Sequence, residues 1–148
     1  LVGFANKAHD GYLGHALVGR WVNLGALTTN SDLKNDYGPV RVELPSGTVD
    51  TRLMKVGVFL GDHVKTGIGT VLNTGTVVGA GSNVFGGGMP PKALPPFSWA
   101  GGGSVTPYRW EKFLEVARTV TGRRDQPWPP GVEAVLKRLW DATHGGAR

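Results

Sequence analysis

The sequence predicts a mainly β fold, a coil with three short flat faces per turn, followed by a helical extension. Residues 56–84 cut into consecutive six-residue units without remainder: from Leu60 they read LGDHVK, TGIGTV, LNTGTV and VGAGSN, and Val84 opens another. The residue types keep phase. Leu60, Thr66, Leu72, Val78 and Val84 hold the first position, Gly61, Gly67, Asn73 and Gly79 the second, and the small or β-branched Val64, Thr70, Thr76 and Ser82 the fifth. A helix cannot explain a period of six, and strand alternation alone would not place glycine or asparagine at one fixed phase. A three-faced coil can, with one aliphatic side chain per face pointing inward to stack on its equivalent in the next turn, and the glycine or asparagine taking the corner.

The elements follow in order. Residues 1–27 carry the same phase with slips: Val2-Gly3 opens a unit, Leu13-Gly14 lies in a five-residue variant, VGRWVN is regular from Val18, and Leu24-Gly25 opens the next. The repeat stops at Thr28, and TTNSDLKNDYGP marks an exposed loop. Val40 to Leu44 alternate as a strand, Pro45-Ser46-Gly47 turns, and Thr48 to Met54 can return, so residues 28–55 form an excursion between turns, too polar to be core. Such loops carry a site or reach a neighbouring subunit. After Val84 the glycines and Pro90, Pro91, Pro95 and Pro96 are expected to end the ladder, with Phe97 and Trp99 capping the open end. Thr106-Pro107 reads as an N-cap with Pro at the first helical position. One helix then turns Trp110, Phe113, Leu114 and Ala117 inward, and a second Val132, Val135, Leu136 and Leu139. The domain reading is a coil over 1–103 and a helical extension over 104–148.

Composition narrows the function. With 24 Gly and 10 Pro the chain is rich in turns, while 40% hydrophobic residues argue against disorder. The absence of cysteine removes a disulfide framework and a thiolate nucleophile and suits a reducing cytoplasm. No apolar run approaches the ~20 residues of a membrane span. The charge of +5 is scattered, without aromatics interleaved on a β surface, which speaks against nucleic acid and suits a phosphorylated small molecule. No His, Asp and Glu spacing suggests a metal site. The first residue is Leu, so the chain is expected to be a piece of something longer.

His9, Tyr12, Asn23 and Lys34 stand out among the polar residues. His9 and Tyr12 share one short segment, and Asn23 falls near one turn further on. An imidazole there can take a proton from an amine attacking a thioester, or it can be a surface histidine. Lys65, in GDHVKTG, faces either a pantetheine or phosphate, or solvent at a corner.

The repeat resembles the hexapeptide-repeat, left-handed parallel β-helix proteins, most of which are acyltransferases. H-D-G-Y-L-G from His9 and N-L-G-A from Asn23 look like the H-L-T-Y-x-G-D and V-N-x-G-A-G-T segments of the acetyltransferase domain in bifunctional N-acetylglucosamine-1-phosphate uridyltransferases. NKAHDGYLGH, NLGALTTNSDLKNDYG, KVGVFLGDHVKTGI, NTGTVVGAGSNVFG and PPFSWAGG resemble the variant in which a sugar-phosphate nucleotidyltransferase domain precedes the β-helix, a likeness running over residues 6–103. The resemblance implies that His9 is the general base, deprotonating the amine of glucosamine 1-phosphate as it attacks acetyl-CoA. It implies that Tyr12 and Asn23 hold the sugar and that Asn30 and Lys34 lie near the coenzyme. It also implies a homotrimer with sites between subunits. The loop GALTTN is two residues shorter than the family's, and His15 stands where the family has Asp. A non-catalytic trimerisation domain of a sugar-1-phosphate nucleotidyltransferase is the rival expectation. A nucleic-acid module rests on charge alone.

Overall fold

The computed structural model describes residues 2–145. The chain forms β1 (Leu17–Val18), β2 (Asn23–Leu24), β3 (Thr29–Asn30), β4 (Arg41–Leu44), β5 (Gly47–Asp50), β6 (Phe59–Leu60), β7 (Lys65–Thr66), β8 (Val71–Leu72), β9 (Val77–Val78), β10 (Asn83–Phe85), β11 (Ala93–Leu94), β12 (Ser98–Gly101), β13 (Ser104–Pro107), α1 (Trp110–Gly122) and α2 (Val132–His144). The chain visits three sheets in rotation. One has the order β1-β6-β9-β11, the second β13-β12-β10-β7-β2 and the third β3-β8, and every pairing between successive turns is parallel. Phe59 pairs with Val77 and Lys65 with Asn83, a return every eighteen residues.

Two-residue strands make this possible because successive side chains point to opposite faces. The first residue of each points out and the second in, so Val18, Leu24, Leu60, Leu72, Val78, Val84, Leu94 and Ala100 form one buried column. At the fifth position, hydroxyls close the corners: Thr28 and Thr66 Oγ1 lie 2.7 Å apart, and Thr70 Oγ1 donates to the Gly67 carbonyl at 2.8 Å.

The corner residue is not the one the sequence suggests. Left-handed backbone falls at the fourth position of the regular units, on Trp21 (φ 61°), Leu27 (61°), His63 (63°), Gly69 (72°), Gly75 (72°), Gly81 (74°) and Phe97 (55°), and at the third position of the slipped units opened by Val2 and Leu13, on Phe4 (63°) and His15 (49°). The second-position glycines serve close approach of the next turn instead: a Cβ on Gly61 would lie 2.6 Å from the Ala80 nitrogen.

Pairing also continues past Val84. Residues 86–91 bulge out, and β11 and β12 then resume the first and second sheets. The prolines are tolerated because β11 is an edge strand that accepts: the Val77 and Gly79 amides donate to the carbonyls of Lys92 and Leu94. Phe97 therefore caps no open end. It is fully buried at the centre of a second cluster with Tyr108, Trp110, Phe113, Ala117 and Leu136, which seats the helices on the coil, while Trp99 stays 42% exposed.

The segment expected to cap the first helix is β13, antiparallel to β12 at the sheet edge, and α1 starts at Trp110. Proline at the end of an edge strand has no ladder bond to lose. Of the face expected of α2, only Leu136 is buried, while Val135 and Leu139 are exposed. The helix leans the other way, where Trp140 Nε1 donates to the Tyr108 carbonyl at 2.9 Å. The excursion holds the hairpin β4–β5, and its Val40 and Val42 make a small core with Val56 rather than lying exposed.

Candidate functional site

The residues before β1 lay a partial turn on the next one. The Val2 and Asn6 amides donate to the carbonyls of Val18 and Val22, the Leu27 amide to Asp10, and the Asn30 amide to Tyr12. His9 sits at the exposed bend of this segment, where Lys7 Nζ donates to its carbonyl at 2.7 Å. Among the described residues no side-chain hydrogen bond joins the His9 ring to the other candidates. Gly11 has φ 124°, and a Cβ there would run into the Thr28 carbonyl, so the bend is pressed onto the turn above.

Tyr12 enters a three-residue network. Its hydroxyl donates to Asp32 Oδ2 at 2.6 Å, and His15 Nδ1 meets the same oxygen at 2.6 Å. The Tyr12 hydrogen bond, then that of His15, holds the Asp32 carboxyl below the usual carboxylate range, and the same bond raises the Tyr12 phenol. Neither His15 as a partner nor Asp32 was singled out as functional from sequence. The available signal was their separation of seventeen residues, the interval that also pairs Asn6 with Asn23 in the neighbouring sheet.

Asn30 stands at an inward position. Its Nδ2 donates to the carbonyls of Gly14 and Ser31, both at 3.0 Å, and its Oδ1 accepts from the Gly14 amide at 2.9 Å. Both amide hydrogens are thereby committed to backbone.

Asn23 and Lys65 are neighbours in an outward row on the second sheet. Register aligns Asn6, Asn23, Lys65, Asn83 and Trp99 across successive turns. Asn6 Nδ2 donates to Asn23 Oδ1 at 3.1 Å, and Lys65 Nζ to the His63 carbonyl at 3.2 Å. Burial pushes the Lys65 ammonium down to about 8. Lys34 stands apart from that row. It pairs with Asp36 at 2.9 Å and lines a groove of about 460 Å³ with Arg41, Lys92, Glu43 and Asp50. Among the described residues no group of three His, Cys, Asp or Glu could hold a metal ion, and no helix is long and apolar enough to cross a membrane.

No family model matches the chain. Individual relatives do. The bifunctional sugar-1-phosphate nucleotidylyltransferase/acetyltransferase of Sulfurisphaera tokodaii is 31% identical over 81 residues, 55% of this chain and 20% of that protein. The bifunctional protein GlmU of Methanocaldococcus jannaschii is 38% identical over 72 residues, 49% of this chain and 17% of the relative. That of Methanococcus vannielii is 36% identical over 74 residues, 50% and 18% of the two chains. The chain thus spans about a fifth of the length of the curated relatives it matches. The likeness read from the hexapeptide motifs stands: over about half its length, this chain is related in sequence to the GlmU-type bifunctional sugar-1-phosphate nucleotidyltransferase/acetyltransferases.

Proposed function

We propose that the three sheets wind as a left-handed parallel β-helix of hexapeptide repeats. On this reading the chain is the acetyltransferase part of a larger cytoplasmic sugar nucleotidyltransferase, moving acetyl from acetyl-CoA to the amine of a hexosamine 1-phosphate. One observation carries this. A chain that rotates through three sheets, with a pairing return of eighteen residues in two of them, is related to proteins named for sugar-1-phosphate nucleotidyl and acetyl transfer.

In the mechanism, the amine nitrogen attacks the thioester carbonyl while His9 accepts its proton, and the coenzyme leaves as thiolate, with no covalent enzyme intermediate. Tyr12 and Asn23 hold the sugar. Lys65, in the row with Asn23, and Lys34, with its ammonium at the groove, lie along the coenzyme. Asn30 serves by fixing Gly14 and the Tyr12 backbone beneath the ligand. A homotrimer completes the site. It is tested by thiol release from acetyl-CoA with a panel of hexosamine 1-phosphates. Saturable turnover is expected, and no turnover with any amino sugar phosphate would sink the reading.

A second reading, a non-catalytic trimerisation domain, is favoured by the exposed outward Leu17 on the first sheet, beside Phe59 and Val77, which already pack on the hairpin core, and by the committed amide of Asn30. A trimer in light scattering with no acetyl-CoA binding in calorimetry would favour it over catalysis.

A further inference from the structure

The seven lysines of the chain divide by what their ammonium groups meet. Lys34, Lys112 and Lys137 pair with carboxylates, Lys55 lies beside Asp32, and Lys92 shares a groove with Glu43 and Asp50. Lys7 and Lys65 reach only backbone carbonyls, those of His9 and His63. Lys65 differs from Lys7 in its setting. It stands half-buried on the second sheet, in register between Asn23 and Asn83, with no carboxylate at ion-pair distance among the described residues. The neighbouring Asp62 carboxylate accepts from the Arg20 amide at 2.7 Å, and His63 is neutral near pH 8. Burial without a counter-charge favours the neutral amine. At pH 8 about half of it is free base, against under about 1% for an ordinary lysine. The row also supplies what acyl transfer needs. Asn23 Oδ1 accepts from Asn6, which leaves the Asn23 amide hydrogens for a carbonyl oxygen that gains charge.

We propose that Lys65 is a modification site: when no amino sugar is bound, its Nζ takes the acetyl group of acetyl-CoA. The nitrogen lone pair attacks the thioester carbonyl, a C–N bond forms as the C–S bond breaks, the coenzyme leaves as thiolate, and the surplus proton on nitrogen passes to solvent. The product is a neutral amide. The row accommodates it, because it then holds three successive carboxamides, those of Asn23, the acetylated Lys65 and Asn83, each with hydrogen-bond donors and acceptors to share. The charge lost is the one placed along the coenzyme, so the modification weakens coenzyme binding. The inference rests on the proposed reading for its thioester alone and goes beyond it in making this lysine a reactant.

The test is the rate at which each lysine of the full chain gains an acetyl group, read by peptide mass spectrometry at pH 8, with acetyl-CoA and separately with acetyl phosphate as a small acyl donor. The larger free-base fraction favours Lys65 roughly 100-fold, and the weaker nucleophilicity of a less basic nitrogen, the offset that thiols show, leaves about 10-fold. With acetyl-CoA and no sugar, Lys65 is expected to react about that much faster than Lys7 and Lys55. Lys65→Arg removes the sugar-independent release of thiol. Asn83→Asp sets a carboxylate one strand away, about 4.8 Å, and slows labelling of Lys65 about 10-fold, a response that a merely exposed lysine would not give. If acetyl-CoA labels Lys65 no faster than Lys7 while a hexosamine 1-phosphate is acetylated, the inference falls alone. If neither Lys65 nor any amino sugar phosphate takes acetyl from the coenzyme, although acetyl phosphate labels Lys65 first, the parent reading has failed and the thioester step falls with it.

Discussion

The rings of Trp21 and His63 lie one above the other at the same corner of successive turns, centroids 6.3 Å apart and planes 17° apart, with left-handed backbone at both residues. Phe4 continues the column at 4.2 Å from Trp21, and Phe113 and Trp128 close on His63 at 5.7 and 6.4 Å. His63 is buried, and its Nδ1 has no hydrogen-bond partner. Burial first, and the charge of Lys65 second, pull its pKa from 6.5 down to about 4, against a smaller opposing effect of Asp62.

A group with a lowered histidine pKa makes the unfolded chain the better proton binder between the two values. The contribution of His63 is therefore fully present above about pH 6.5 and is lost as pH falls towards 4. The window caps the effect at about 3 kcal/mol. Denaturant unfolding at pH 7.5 and pH 5 is expected to show it, and His63→Leu is expected to flatten the slope. Leucine is chosen because Leu27 already holds the same backbone phase, with φ 61°. An unchanged slope would remove His63 as the cause.

Leu136 and Leu139 separate periodicity from packing. Leu136→Ala is expected to destabilise the chain by about 2 to 4 kcal/mol, because Leu136 is 8% exposed among the aromatic rings that seat the helices. Leu139→Ala, at a position 37% exposed, is expected to stay within about 0.5 kcal/mol. The midpoints of chemical denaturation decide between them.

Asn30→Ala leaves the Gly14 amide and carbonyl and the Ser31 carbonyl without their partner. A loss of about 1 to 3 kcal/mol in stability is expected. The midpoint should fall even in the absence of ligand. A midpoint equal to that of the unaltered protein would show that Asn30 does not hold this backbone.

His9 is exposed at its bend, so His9→Ala is expected to leave the melting temperature unchanged. On the acetyl-transfer reading, turnover falls by about two to four powers of ten. Thiol release at saturating acetyl-CoA measures it, and an unaltered rate would take His9 out of the mechanism.

How far the chain could be read in advance follows from the range of the interactions. The inward column was legible because a repeat writes the same contact many times, so Leu60, Leu72, Val78 and Val84 announce their phase. Tyr12 was legible by motif, but its partner was not, since Asp32 lies in the polar run after the repeat stops and reaches back across a turn. The Pro91 to Pro95 stretch was misread because proline excludes a strand only where its missing amide is needed, and on an edge strand that accepts it is not.

By itself the sequence determined the six-residue phase, the three faces and the amphipathic helices, because each follows from side-chain types recurring at a local spacing. The tertiary structure alone decided which position turns the corner, how Asp32 orients Tyr12 and His15, why Asn30 grips Gly14, and which face of α2 is buried. Those depend on contacts between residues a full turn or more apart, where the neighbour across the gap, rather than the neighbour in the chain, sets the environment.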